Sequence, residues 1–195
     1  PQILEKCPDY IQKSAKVLER LASYSKSAPI KDGIYEIAPA VDERKRLDIA
    51  GGSRNNGANL HIWQKNSGDN QKFKVKRDKR GFYTLTCLAS EKNIDVAGGG
   101  TKVGTNVQQY EPNGSCAQKW YIVPCGGGYC KIISQCDLMA LDVCKAKSVN
   151  GTNIQCYRDN GTKAQKFKFI KVDEINEEPI SIALSTDNNY GYPTV

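Results

Sequence analysis

Three aspartates, Asp48, Asp95 and Asp142, recur every 47 residues, and each stands fifteen residues before an aromatic residue. The aromatic residues are Trp63, Tyr110 and Tyr157. A carboxylate accepts charge-assisted hydrogen bonds, and an aromatic ring offers a flat apolar surface without a flexible side chain to immobilise. Each pair therefore combines a polar anchor with an apolar platform, and the chemistry that it favours is ligand binding.

Catalytic chemistry is poorly supported by the same residues. The chain has one histidine, His61, so a Ser-His-Asp or Cys-His arrangement would have to use it, and no serine or cysteine motif stands out as its partner. Paired carboxylates can hydrolyse glycosides, but these aspartates belong to separate repeats and are expected to lie too far apart. With one histidine and no CxxC pair, we expect no metal site, and nothing indicates a cofactor.

The aspartates mark an internal repeat. Leu47-Asp48-Ile49 recurs as Ile94-Asp95-Val96 and as Leu141-Asp142-Val143, with no insertion or deletion across the matching stretches. Glycine follows each aspartate by nine residues, asparagine by eleven and eighteen, and a Gln-Lys-aromatic triplet begins after twenty-three. Those triplets start at Gln71, Gln118 and Gln165. Three equal units of this size predict one shared core around a pseudo-threefold axis.

Short strands with turn residues between them make up each unit. Leu60-His61-Ile62-Trp63 alternates apolar and polar residues, as a half-buried strand does, and the equivalent segments of the other units follow suit. We expect about four strands per unit and twelve in all. Hydrophobic residues are 39% of the chain, and no run approaches the roughly 18 apolar residues of a membrane helix, so no membrane insertion is expected.

The three motifs, in register, resemble the ricin B-type (R-type) lectin domain and the family 13 carbohydrate-binding modules. The resemblance covers about residues 31–170, and it implies an all-β fold, a β-trefoil with pseudo-threefold repeats over about 31–77, 78–124 and 125–170. It also implies a non-catalytic lectin that binds galactose or N-acetylgalactosamine-type glycans of glycoproteins or glycolipids through up to three pockets. A sugar presents a face of C–H groups and a rim of hydroxyls, which an aromatic ring and a carboxylate can bind together.

Carried over position by position, the resemblance implies a set of carbohydrate-binding residues. They are Asp48, His61, Trp63 and Asn70 in repeat 1, Asp95, Gln108 and Tyr110 in repeat 2, and Asp142, Gln155 and Tyr157 in repeat 3. His61 replaces the usual glutamine, and Ala117 and Ala164 stand where an asparagine would otherwise assist. No repeat matches the family pattern at every position.

Other interpretations of these residues remain open. The three rings could be core residues, and the three aspartates could anchor turns through backbone hydrogen bonds. The glutamines are interpreted as structural, satisfying buried backbone groups, and Phe73, Trp120 and Phe167 as core. A β-trefoil that binds protein, such as an inhibitor, is the alternative function, although such a module has no reason to repeat a pocket.

Outside the repeat, residues 1–30 form an N-terminal extension whose apolar spacing predicts an amphipathic helix over 9–25. Residues 171–195 are an acidic C-terminal extension. Eight cysteines favour disulfides and a secreted or cell-surface location, and the chain could serve alone or beside a linked or associated partner domain. The net charge is +7, but most basic residues stand singly among polar ones, so a nucleic-acid partner is not expected.

Overall fold

The computed structural model describes residues 28–175, together with Glu19, Ala22, Ser23 and Lys26, which are helical. The remainder of the helix expected over 9–25 lies outside the described residues. The acidic C-terminal extension also lies outside them after residue 175. Within the described part of the chain, no helix is both long and apolar enough to cross a bilayer.

The described residues form twelve β-strands, four from each repeat, as the sequence predicts. Repeat 1 contributes β1 (Gly33–Pro39), β2 (Lys45–Ile49), β3 (Leu60–Gln64) and β4 (Lys72–Arg77). Repeat 2 contributes β5 (Tyr83–Cys87), β6 (Asn93–Val96), β7 (Thr105–Tyr110) and β8 (Trp120–Pro124). Repeat 3 contributes β9 (Cys130–Ser134), β10 (Ala140–Val143), β11 (Thr152–Tyr157) and β12 (Phe167–Asp173), so β12 runs three residues beyond 170.

The outer strands of the repeats close a six-stranded antiparallel barrel. Strand β1 pairs with β4 and β12, β5 pairs with β4 and β8, and β9 pairs with β8 and β12. The inner strands form three hairpins, β2–β3, β6–β7 and β10–β11. Strand β11 pairs with both β3 and β7, and these pairings bring the three hairpins together at the pseudo-threefold axis. A closed barrel with three hairpins is the β-trefoil architecture.

The core is filled by the alternate residues that the strands turn inward. Phe73, Trp120 and Phe167, at equivalent positions in the three repeats, are fully buried, which confirms their interpretation as core. The indole Nε1–H of Trp120 donates to the carbonyl oxygen of Ile94 at 3.2 Å, so its one polar group is satisfied. Because all three repeats supply this core, no repeat buries its apolar face alone.

Three asparagines, each eleven residues after a motif aspartate, form a closed ring of side-chain hydrogen bonds. The Nδ2 group of Asn59 donates to Oδ1 of Asn153 at 2.8 Å, Asn153 donates to Asn106 at 2.9 Å, and Asn106 donates to Asn59 at 2.9 Å. Each residue comes from a different repeat. The ring therefore lies where the three hairpins meet and joins them without a covalent link.

Glycines two residues before this ring join neighbouring hairpins through the backbone. The N–H of Gly57 donates to the carbonyl of Gln109, and those of Gly104 and Gly151 make the equivalent bonds to the next repeat in turn, all at 2.9 Å. The three glycines have φ of 80°, 86° and 81°. That left-handed conformation favours glycine, which explains the recurrence of this residue.

The seven described cysteines are free thiols in this structure, and Cys7 lies outside the described residues. Strands β10 and β11 pair with Leu141 opposite Cys156, so Cys156 has no cysteine as its cross-strand partner on β10. Cys116 and Cys136 are in hydrogen-bond contact, and burial together with this contact raises the pKa of Cys136 to about 12. The predicted disulfides therefore remain a prediction, with Cys116 and Cys136 as the pair in contact.

Candidate functional site

Each motif aspartate lies on the first strand of a hairpin, opposite the residue thirteen positions later. Asp48 is opposite His61, Asp95 is opposite Gln108, and Asp142 is opposite Gln155. Cross-strand neighbours on one face of a sheet are close enough to bond. The Oδ1 atom of Asp48 accepts from Nε2 of His61 at 2.9 Å, and Gln108 and Gln155 donate to their aspartates at 3.1 Å.

The second oxygen of each aspartate is held by the glutamine twenty-three residues on. Gln71, Gln118 and Gln165 donate from Nε2 to Oδ2 of the aspartate at 2.7, 3.1 and 3.1 Å. The same Nε2 groups donate to backbone carbonyls, and each Oε1 accepts the backbone N–H of the residue eighteen after the aspartate. The glutamines are buried, so their structural interpretation is confirmed.

The three carboxylates are fixed by side chains. Asp48, Asp95 and Asp142 are 3–4% exposed, and each accepts side-chain hydrogen bonds from its paired residue and its glutamine, to which Asn70 adds one for Asp48. The interpretation of these aspartates as turn anchors bound to the backbone is therefore wrong. A carboxylate has about four acceptor positions. Asp95 and Asp142 use two each, which leaves acceptor capacity for a ligand.

The motif rings are not buried in the core. Trp63 is 37% exposed and Tyr157 is 39% exposed, whereas Tyr110 is half-buried. Trp63 stacks on His61 with ring centroids 5.4 Å apart and planes inclined by 21°. His61 in turn bonds Asp48, so the carboxylate, the imidazole and the indole form one connected unit. The core interpretation of Trp63 and Tyr157 is wrong, and both rings are available to a ligand.

Repeat 1 has a hollow of about 410 Å³ beside this unit, which we call hollow 1. Its lining consists of Asp48, Gly51, Gly52, His61, Trp63, Asn66 and Asn70. Asn70 donates to Oδ2 of Asp48 at 2.8 Å, which fixes its side chain. A carboxylate accepts and cannot donate, so His61 carries hydrogen on Nε2 in this contact. All four residues expected in repeat 1 thus meet at hollow 1.

Repeat 3 has a second hollow, of about 460 Å³, which we call hollow 3. Its lining consists of Asp142, Cys144, Lys145, Ala146, Gln155, Tyr157, Asn160, Thr162 and Ala164. The three residues expected here lie together. Where hollow 1 has Asn70, hollow 3 has Ala164, whose small side chain leaves the Oδ2 atom of Asp142 with one fewer partner.

Repeat 2 repeats the polar half of the arrangement. Asp95 is bound by Gln108 and Gln118, and Asn93 donates from Nδ2 to Oε1 of Gln118 at 3.0 Å. Tyr110, at the position of Trp63, is half-buried. The three residues expected in repeat 2 therefore share one hairpin.

Several lining residues were not anticipated from the sequence. Asn66 and Asn160 both stand eighteen residues after their aspartates, so the repeat itself contained the signal. For Lys145 the signal was weaker: a lysine stands where the other two repeats have a glycine, Gly51 and Gly98. Over the described residues, no group of three histidine, cysteine or acidic side chains could hold a metal ion.

Comparison with known proteins agrees with this geometry. The sequence model of a family described as "Ricin-type beta-trefoil lectin domain-like" matches residues 24–110 and 69–157. Among curated proteins, no relative matches. The designed threefold-symmetric protein ThreeFoil is 32% identical with a TM-score of 0.70, and the match covers 72% of this chain and 100% of that protein.

Two natural structures extend the comparison. An exo-β-1,3-galactanase from Clostridium thermocellum is 27% identical with a TM-score of 0.70 over 73% of this chain, and the match spans only 31% of that enzyme. The Macrolepiota procera ricin B-like lectin, solved with lactose, has a TM-score of 0.64 at 16% identity, over 73% of this chain and 99% of that lectin. At that identity, the lectin supports the fold alone.

Proposed function

The chain belongs to the ricin-type β-trefoil lectin-like family, and on that basis we propose that it is a non-catalytic lectin for glycans ending in galactose or N-acetylgalactosamine. Carbohydrate binding in general is supported by the family, whose model describes a lectin-like domain. The finer proposal assigns the binding to Asp48, Asp95 and Asp142 with their paired rings.

The observation that carries the proposal is the state of the carboxylate at hollow 3. Asp142 is held rigidly by two glutamine side chains and keeps two acceptor positions, and the exposed ring of Tyr157 lines the same hollow. A sugar hydroxyl can bond the carboxylate while the C–H face of the ring lies on the tyrosine. Since the carboxylate is already fixed and a tyrosine ring has few rotatable bonds, binding loses little side-chain entropy at these two residues.

Repetition of the pocket supports a multivalent lectin. Single sugar sites are weak, because the hydrogen bonds regained barely exceed those lost to water. Sites related by a threefold axis can engage clustered glycans, and effective concentration then raises the overall affinity. We propose that hollow 1 and hollow 3 act together in this way, in a secreted or cell-surface protein that works alone or beside a partner domain.

The test is retention on a galactose-type resin, followed by titration with lactose. Asp48→Asn and Asp142→Asn, which change one acceptor oxygen to a donor, should together reduce retention at least tenfold. The matched control is Glu91→Gln/Glu174→Gln, which removes two charges from exposed residues outside both hollows. It should be retained like the parent.

Folding is checked separately by thermal unfolding of every variant. Unchanged retention of a folded Asp48→Asn/Asp142→Asn variant would show that these pockets do not bind the sugar. A parent protein that binds no glycan at high concentration would favour the alternative, a protein-binding module or inhibitor.

Disulfide formation is proposed for one pair. The backbone N–H of Gln135 donates to the carbonyl of Lys119 at 2.9 Å, which places the chain beside Cys136 against the turn that begins at Cys116. The two thiols are already in contact. Oxidised glutathione would accept two electrons and two protons from them as the S–S bond forms. Peptide mapping after this oxidation should recover Cys116 joined to Cys136, and a different pairing would refute the proposal.

A further inference from the structure

One basic residue lines hollow 3, and three more are sequence neighbours of its lining residues. Lys145 lines it, Arg158 directly follows the lining residue Tyr157, and Lys163 stands between Thr162 and Ala164, which both line it. Lys147 follows the lining residue Ala146. All four cations are exposed, and none forms an ion pair with another described residue. Their charges are therefore not neutralised by a neighbouring carboxylate.

The equivalent positions in the other repeats lack this charge. Lys145 is matched by Gly51 and Gly98, and Lys147 by Ser53 and Gly100. Arg158 is matched by Gln64 and Glu111, and Lys163 by Asp69 and Cys116. Four basic residues in repeat 3 thus correspond to one acidic residue in repeat 1 and one in repeat 2. The fold is shared, so the difference lies in the side chains around an otherwise equivalent pocket.

Nearby carboxylates offset only part of this charge, since Asp142, which lines the hollow, contributes one negative charge against four positive ones. Asp159 adjoins the lining residue Asn160, but its Oδ1 atom is 2.6 Å from Nζ of Lys131, which neutralises it. At hollow 1, by contrast, the one adjoining cation, Lys65, lies 3.2 Å from Glu36, and Asp69 pairs with Lys72 at 2.9 Å. Hollow 3 therefore has a surplus of free positive charge, and hollow 1 does not.

Lys145 also adopts a backbone conformation that its side chain disfavours. Its φ is 56°, and that of Ala146 is 51°, where repeats 1 and 2 have pairs of glycines. This left-handed region is disfavoured for any residue with a Cβ. The sequence thus places a cation at the edge of the pocket despite a local cost, at the point where the other repeats leave open space.

We propose that hollow 3 selects a galactose-type sugar that carries an anionic substituent, a sulfate or a carboxylate, while hollow 1 takes the neutral sugar. The proposal rests on the proposed lectin function. Asp142 and Tyr157 bind the sugar ring, and Lys145, with Arg158 and Lys163 beside it, attracts the anion. Partly exposed ion pairs are individually weak, so several cations are needed for useful discrimination.

The experiment compares lactose, 3′-sulfolactose and 3′-sialyllactose by calorimetric titration. The background is Trp63→Ala/Tyr110→Ala, which removes the other two platforms and leaves hollow 3. At low salt, the sulfated or the sialylated sugar should bind about threefold to tenfold more tightly than lactose, and added salt should reduce that preference. The two anionic sugars distinguish a sulfate from a carboxylate.

In the variant Lys145→Gly/Arg158→Gln/Lys163→Gln, the ratio of the affinity for the anionic sugar to that for lactose should fall close to one. The control Lys31→Gln/Lys79→Gln/Lys102→Gln removes the same charge from exposed residues outside both hollows and should keep the preference. Equal binding of neutral and anionic sugars, or a preference that survives the first variant, would overturn this inference alone. Absence of binding by all three sugars to the unmutated protein would overturn the proposed function as well.

Discussion

Trp63 gives the sharpest test of the binding geometry. The chain has two tryptophans, Trp63 and Trp120; the first is 37% exposed at hollow 1, and the second is fully buried. Fluorescence changes on adding sugar should therefore come from Trp63. We expect lactose to shift the emission to shorter wavelength and to protect the indole from acrylamide quenching.

The size of the effect follows from the exposed area. A tryptophan side chain has up to roughly 250 Å² of surface, so 37% exposure leaves about 90 Å². If a sugar covers about half of that area at roughly 25 cal/mol per Å², the platform contributes about 1 kcal/mol. Trp63→Ala should therefore weaken lactose binding at hollow 1 by about fivefold. Trp63→Phe should keep most of the affinity, because a ring remains, while abolishing the fluorescence change.

The affinities are measured by calorimetry in a Tyr110→Ala/Tyr157→Ala background, which suppresses the contributions of repeat 2 and of hollow 3. Thermal unfolding of each variant checks that the exposed ring can be removed without loss of the fold. The assignment of Trp63 as a platform would be refuted if the folded Trp63→Ala protein bound lactose as tightly as the parent. It would also be refuted if saturating lactose did not change the fluorescence emission of the parent.

Three further predictions concern stability and are measured by denaturant unfolding. Glu36→Gln should lower the free energy of unfolding at pH 7 by about 3 kcal/mol, since it leaves the buried Arg46, now 2.8 Å from Glu36, without its charge partner. Burial raises the pKa of Glu36, but hydrogen bonds from Arg46 and Lys65 outweigh it and hold that pKa below its usual value. The pKa of Glu36 is thus lower in the folded protein than in the unfolded chain. The stabilisation is therefore present at neutral pH and is lost as the pH falls through the folded pKa. If the difference in the free energy of unfolding between the parent and Glu36→Gln grew in acid, that result would contradict this prediction. Asn106→Ala should lower the free energy of unfolding by about 1–3 kcal/mol, because it breaks two hydrogen bonds of the asparagine ring. An unchanged denaturation midpoint would show that the ring does not stabilise the fold. Lys145→Gly should raise the free energy of unfolding by about 0.5–1 kcal/mol, because glycine adopts the left-handed backbone conformation without strain. A lower free energy of unfolding would show that the lysine side chain makes compensating contacts.

Much of the fold was predictable because the repeat constrains it three times over. The apolar-polar alternation of Leu60 to Trp63 predicted β3 to within one residue of its observed end at Gln64. The recurrence of Gln71, Gln118 and Gln165 indicated a structural role, and the structure confirms it. Three copies of one weak local signal, in register, leave few alternative topologies.

The sequence could not decide which way the rings point. Trp63 and Phe73 are both aromatic residues on strands, yet one is exposed and the other is fully buried. The difference depends on which face of each strand the barrel turns inward, and that is a tertiary property. The stacking of His61 on Trp63 and the charge around hollow 3 were likewise invisible, since both bring together residues whose significance depends on the pocket between them.

The asparagine ring also bears on the number of repeats that this architecture can hold. Each side chain gives one hydrogen bond and receives one, and the circuit closes after the third member. Losing a unit from this ring would leave one donor and one acceptor unpaired at the centre of the molecule, and a fourth unit would have to widen the ring to enter it. We therefore expect the loss of one repeat to cost polar contacts at the centre as well as apolar packing in the core.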